Sequence, residues 1–377
     1  MSNFADQFKG TTPAPRMQNL VNDTPAKKNY DFIDNIRAIA IMSIVMEHCF
    51  FFDQKMYHPT DQLSILTYNA VLQFIKFGTV AFFLLAGFLI GEKFTTYTPL
   101  QYMKRRIDST IAPWLFWSLT FIAFIVLNDI FITYRFNHGI WPAHYGLNVL
   151  GYFKGTYLYS SYWFIPNFLI CIGLLLVFKR WLYSWKLGGV LLGFTVLYII
   201  NVYFEWIEPR HSTAILAFVF FLWLGAQFNR HMAAFEKWLA GTSIWLWAFL
   251  SVVTLIAGMW ETSLLTKLHS IDPLNTLRPT NILYSLCFFF FLLKIPNYNF
   301  TRFIKPRETT YGIYLIHYIL VYSILPIIFP TLRFGINGLS YGQVWLYLVS
   351  RFVIAYGVTF FIVRLINLTK AKWLIGR

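Results

Sequence analysis

Apolar runs long enough to cross a bilayer recur along this chain at 32–52, 70–91, 111–134, 161–178, 188–204, 213–229, 242–260, 281–295, 311–330 and 341–366. They predict ten helices and an all-α, polytopic membrane fold. The eighth run is short, so its helix is expected to be tilted, broken or extended. No tandem repeat, long linker or appended soluble domain is expected, and residues 31–370 read as one integral domain. Residues 1–30 are polar and contain Pro, without the apolar core of a cleavable signal. They read as a flexible cytoplasmic tail, with 371–377 as a short cytoplasmic end, and the first helix directs insertion.

The pattern is broken most tellingly inside the first run, in Asp34-Asn35-Ile36-Arg37-Ala38-Ile39-Ala40-Ile41-Met42-Ser43-Ile44-Val45-Met46-Glu47-His48. Eleven helical steps from Arg37 to His48 turn about 1100°, within about 20° of three full turns, so the two side chains share one stripe about 16 Å apart. Asp34 lies near the same stripe. Ionisable groups within a lipid-spanning segment face a bundle interior or a watery cavity, which makes the stripe a candidate site. For Arg37 alone, snorkelling to the headgroups is the simpler explanation; for the pair, with Glu47 beside it, it is not.

Composition agrees with the pattern: 57% of residues are hydrophobic, 20% aromatic and 12% charged, with a mean hydropathy of +0.54. Of 31 basic residues, Arg37, Lys76 and Arg351 fall within spans. If the N-terminus is inside, the outer loops keep only Lys55, Arg135, Lys154, Arg210, Lys267, Arg278 and Arg333. The rest lie on the cytoplasmic side, which also places the C-terminus there. The net charge of +15 is explained by basic side chains concentrated at one surface of anionic lipid, so no nucleic-acid partner is expected. Cys49, Cys171 and Cys287 all lie in predicted spans and give neither a disulfide framework nor metal-ligand spacing.

Other groups carry weaker signals. Lys104-Arg105-Arg106 precedes the expected third helix, and Arg suits bidentate contact with phosphate; alone, the triplet is ordinary positive-inside charge. His48 has the chemistry to take the proton of a hydroxyl as it attacks an acyl carbonyl. Glu47 is about 100° round the helix from it, a poor position for orienting it. Thr310-Tyr311-Gly312-Ile313-Tyr314-Leu315-Ile316-His317-Tyr318 opens the ninth helix, with Tyr311, Tyr314, Tyr318 and Tyr322 on one face and His317 flanking it. The outer segment 128–162, carrying Trp141 and Tyr162 and followed by Trp163, is the longest connection and suits a lid or acceptor platform, though an interfacial aromatic belt explains many of its rings equally well.

These residues resemble the acyltransferase-3 family of integral membrane acyltransferases. The likeness is carried by Asp34-x-x-Arg37-Ala-x-Ala-Ile with its spacing to His48, Phe82-Phe83-Leu84-Leu85-Ala86-Gly87-Phe88-Leu89-Ile90, Lys104-Arg105-Arg106 followed by Pro113-Trp114, Tyr162-Trp163-Phe164-Ile165, and Thr310 to His317. The motifs run in family order over nearly the whole chain. Two positions depart from the pattern: Ala86 stands where Ser is common, and Ser109 replaces an arginine often found nearer Pro113.

The resemblance implies about ten transmembrane helices in the cytoplasmic (inner or plasma) membrane. It also implies transfer of an acyl group, usually acetyl, from cytoplasmic acyl-CoA to a hydroxyl of an extracytoplasmic carbohydrate or glycolipid. His48 would be catalytic with Arg37 as its partner, and Arg37, Lys104, Arg105 and Arg106 would bind the donor. Asp34, Glu47, Tyr311, Tyr314 and His317 are supporting candidates, with Tyr314 or His317 as oxyanion donors. Lys76, Trp141, Tyr162 and Trp163 are acceptor-side candidates. Acetyl-CoA or another acyl-CoA is then a co-substrate, with no metal and no permanently bound cofactor, and membrane lipids and polysaccharide-synthesis proteins are the expected partners. The alternative from the residues alone is a solute or lipid-linked-sugar transporter with Arg37, His48, Lys76 and Arg351 along its pathway.

Overall fold

Some of the helices begin where the sequence supplies partners for their first N–H groups. Asp61 accepts from Ser64 N at 2.8 Å, Thr98 and Gln101 form a capping box with Pro99 at the first position, and Ser340 with Gln343 forms another. A computed structural model describes residues 30–51, 57, 59–93, 97–295, 300–329 and 336–377. Apart from Tyr30, the expected tail 1–30 lies outside the described residues, as do Lys55 and Arg333.

Among the described residues the chain is helical, with no strand. The α-helices are α1 Asp31–Phe50, α2 Gln62–Ile75, α3 Gly78–Lys93, α4 Pro99–Phe136, α5 Tyr145–Tyr159, α6 Phe164–Val177, α7 Trp185–Phe204, α8 Ile215–Arg230, α9 Met232–Ala240, α10 Ile244–Lys267, α11 Pro279–Lys294, α12 Phe300–Ile304, α13 Pro306–Ile319, α14 Leu325–Ile328 and α15 Tyr341–Asn367. Six helical runs among the described residues are long and apolar enough to cross a membrane: Gln62–Lys93, Pro99–Phe136, Trp185–Phe204, Ile244–Lys267, Pro306–Ile328 and Tyr341–Asn367. The pair Tyr145–Tyr159 and Ser161–Val177, bent by 63° at the break between them, adds a seventh if counted as one span. This is the build of a polytopic integral membrane protein.

The helix that breaks the apolar pattern, α1, lies inside. It packs against α3, α13 and α15, and most of its length is buried. A helix screened from lipid by its neighbours can carry Asp34, Arg37, Glu47 and His48 at a cost that a lipid-facing helix would not bear. Beside it, α3 and α8 approach closely through reciprocal glycines: a Cβ on Gly87 would run into the Leu222 main chain, and one on Gly225 into the Leu84 carbonyl. Phe83 stacks on Phe218 across the same seam at 4.9 Å. Gly225→Ala is expected to destabilise the fold by about 1–3 kcal/mol through overpacking, read as a lowered melting temperature in detergent.

Three expectations are corrected by the helices. α4 starts at Pro99, so Lys104, Arg105 and Arg106 lie within the helix rather than ahead of it. At 38 residues it is about 57 Å long, and hydropathy reports the part that suits lipid rather than where the capped helix begins. The segment 128–162 is mostly helix, not a long loop, because α5 folds back against α4 and Asp129 accepts from both Tyr145 and Tyr152. Arg278, placed in an outer loop by its charge, is fully buried. It donates to the Gly258 carbonyl at 2.9 Å, Gln73 Oε1 at 2.7 Å, the Asn275 carbonyl at 3.1 Å and Thr262 Oγ1, and so ties α2 to α10 and α11.

Candidate active site

Around the first third of α1 the fold gathers arginines from distant parts of the chain. Arg37 Nη1 reaches Asp34 Oδ1 at 3.3 Å, while the other oxygen, Asp34 Oδ2, accepts from Arg307 Nε at 2.7 Å. One carboxylate thus holds two guanidiniums, one from α1 and one from the first turn of α13. Both border a cavity of about 330 Å³, together with Arg106 of α4 and Arg377. Arg106 is aimed by its own helix: Nε donates to Tyr102 Oη at 2.9 Å and its guanidinium lies over the Tyr102 ring. Arg377 is brought there by the turn Lys370–Ile375, which Trp117 anchors by donating to the Leu374 carbonyl at 2.8 Å. Four guanidiniums border the cavity against two carboxylates, Glu308 in the lining, 3.4 Å from Arg377, and Asp34 beside Arg37 and Arg307. Such an excess of positive charge in a concave, largely apolar space attracts anions.

Away from the arginines the cavity wall becomes apolar, through Phe82, Leu85, Phe164, Ile165, Phe168 and Ile44. Ala86 and Ser109, the two departures from the family pattern, both lie in the lining. So do Tyr311 and Tyr314, and each phenol is already committed: Tyr311 donates to the Thr110 carbonyl at 2.7 Å and Tyr314 to the Ser161 carbonyl.

His48 lies one turn beyond Ile44, about 6 Å farther along the axis. Its ring is 5.3 Å from that of His317, inclined at 34°, and 5.2 Å from that of Tyr318, edge to face. His317 in turn touches Tyr314 at 5.9 Å, so aromatic contact runs from the cavity wall to His48. The Nδ1 of His317 lies 2.8 Å from the Tyr314 carbonyl and 3.1 Å from that of Ile313. As arranged, neither Tyr314 nor His317 offers a free N–H or O–H for an oxyanion.

The remaining sequence candidates fall into different places. Lys104 is exposed, and Arg105 lies over Tyr97 at 4.7 Å; neither borders the cavity. Glu47 is taken up by Lys76, whose ammonium is 2.6 Å from Oε1, and Lys76 itself is buried within electrostatic reach of His48. Tyr162 is fully buried and donates to the Leu315 carbonyl at 2.8 Å, an anchoring role. Trp163 stacks on His211 at 5.1 Å, and His211 also lies within electrostatic reach of His48. Trp141 packs between Tyr134 and Tyr145 on the α4–α5 hairpin. Arg351 reaches Tyr347 Oη at 3.1 Å on α15.

Arg307, Arg377 and His211 were not marked as site residues by sequence reasoning. The two arginines entered only as topological charge; the available signal was Arg307 standing one residue after Pro306, at the start of the helix that carries His317. No comparable signal attaches to Arg377 or His211. Among the described residues no group of three His, Cys, Asp or Glu side chains could hold a metal ion.

A helix held inside a bundle of membrane helices thus carries a basic cavity at one end and an imidazole pair beyond it. Comparison with known families makes this specific. The family described as Acyltransferase domain (Acyl_transf_3) matches residues 30–369, nearly the whole chain, and the protein belongs to that family. It is therefore a membrane acyltransferase. Neither the curated proteins nor the solved structures include a match.

Proposed function

We propose that the protein transfers an acyl group, acetyl in the simplest case, from acyl-CoA to a hydroxyl of an extracytoplasmic carbohydrate or glycolipid. The observation that carries this reading is the cavity that begins among Arg37, Arg106, Arg307 and Arg377 and continues as an apolar wall to within a turn of His48. Phosphates of the donor meet the arginines, and the thin pantetheine arm lies along Phe164, Phe168 and Ile44. The thioester passes Ile44 and Tyr314 to reach His48. His48 removes the acceptor's proton as its oxygen bonds to the acyl carbon. The C–S bond then breaks, and His48 returns the proton to the departing thiolate.

The positive-inside count supports placing the arginine end in the cytoplasm, where acyl-CoA is made, and the His48 end toward the outer face. On that topology the chain crosses the inner or plasma membrane ten times, with the shorter α8 and α11 among the crossings. Exopolysaccharide, O-antigen, periplasmic glucan and lipid-linked sugar are the acceptor classes this orientation allows.

Purified protein in nanodiscs, given acetyl-CoA and envelope glycan, is expected to release CoA thiol only when glycan is present and to leave an acyl mass on it. Solute flux without any acylated product would overturn the proposal. The basic triplet separates within the same assay. Arg106→Gln is expected to raise the KM for acyl-CoA about tenfold or more, the worth of a charge-assisted contact, whereas Arg105→Gln, away from the cavity, should stay within about twofold.

A further inference from the structure

His317 is fully buried, and its two nitrogens have different surroundings. Nδ1 faces two carbonyl oxygens, those of Ile313 and Tyr314. Carbonyls only accept, so Nδ1 carries the hydrogen. No carboxylate pairs with His317 among the described residues, and an unpaired buried cation would be costly, so the ring is neutral. Its Nε2 is then a bare lone pair. That atom is buried with no hydrogen-bond partner among the described residues, on the ring that lies against His48. Two residues after Tyr318 is reached, the helix opens into a π turn, Leu320–Ile324, an irregularity found often beside functional sites.

Taking the acyl transfer proposed above as its basis, we infer that His317 is a positioning residue for His48: its Nε2 accepts the N–H of His48 and leaves the opposite nitrogen of His48 unprotonated toward the substrate hydroxyl. No hydrogen bond joins the rings at the separation observed, and contacts of this kind tighten when substrate fills the site. When the free nitrogen of His48 takes the hydroxyl proton, the positive charge that develops is shared through the N–H held by His317. The same proton then leaves with the thiolate, and His48 returns to its starting tautomer. This assigns His317 the part of an acceptor and excludes it as an oxyanion donor.

The test compares substitutions in the full-length protein in nanodiscs, with acetyl-CoA and the acceptor glycan. His317→Phe keeps an aromatic ring and loses both nitrogens. It is expected to retain the melting temperature to within a few degrees and the acyl-CoA KM within about twofold, while kcat falls about 10²-fold or more, as when a catalytic imidazole loses the group that sets its tautomer. His317→Gln, whose amide reaches the Nε2 position, should recover at least about tenfold of that loss; His317→Asn, whose amide stops near Nδ1, should not. A wild-type kcat in the Phe variant, or equal kcat in the Gln and Asn variants, would overturn the inference. If the Phe variant fails to fold, the Gln and Asn pair decides alone. Absence of transfer by the unsubstituted protein would instead overturn the acyl-transfer proposal, and this inference with it.

Discussion

Replacing His48 by Ala is expected to reduce acyl transfer by about 10²-fold to 10⁴-fold, the usual contribution of a positioned general base, and to leave acyl-CoA binding nearly unchanged. The structure separates these two effects. The arginines that border the cavity lie toward the other end of α1, and His48 is not part of the cavity lining. Its contacts are with the rings of His317 and Tyr318, so truncation removes ring packing but breaks no bond that holds α1 to its neighbours. Titration of the variant with acyl-CoA by calorimetry, beside turnover measured by thiol release, checks both halves. A variant that turned over at the wild-type rate would remove His48 from the chemistry.

The second large effect is expected at Arg37. Arg37→Gln should raise the acyl-CoA KM by roughly 10-fold to 150-fold, corresponding to the loss of about 1.5–3 kcal/mol of charge-assisted binding. Removing one member of a buried ion pair normally strands the other and is strongly destabilising. Here Asp34 keeps Arg307 at 2.7 Å, so the carboxylate stays paired and the fold is expected to survive. Asp34→Asn gives the reverse test: both guanidiniums lose their shared anchor, and donor affinity should fall although no positive charge has been removed. An unchanged KM in Arg37→Gln would mean that the donor phosphates lie elsewhere.

The helical nature of the chain and the common stripe of Arg37 and His48 were legible in the sequence because both follow from short-range geometry. Apolar runs and a 100° step per residue need no tertiary information. The same reasoning failed where an element's extent depends on more than lipid solubility. Thr98-Pro99 begins α4 well ahead of its apolar core, and Asp129 folds α5 back as helix where a long loop was expected. The partners of the first helix were only partly legible. Lys104, Arg105 and Arg106 are indistinguishable as letters, and only the helical phase, with Tyr102 one turn behind Arg106, turns that one into the cavity. Arg307 and Arg377 join Arg37 in the cavity lining only because α13 packs on α1 and the turn after α15 packs on α4 and α13. The commitments of Tyr314 and His317 to carbonyl groups likewise depend on which main-chain atoms face them.

Everything proposed depends on a donor that lies with its phosphates among Arg37, Arg106 and Arg307 and its acyl carbon at His48. The most direct measurement is a structure of the protein in nanodiscs with a non-transferable acyl-CoA analogue, a ketone in place of the thioester. The expected result is density for the phosphates against the three guanidiniums, an arm running past Phe168 and Ile44, and the ketone carbon beside the His48 ring. An analogue bound outside this cavity, or one whose reactive end stops at Tyr314 with His48 closed off behind it, would contradict the account.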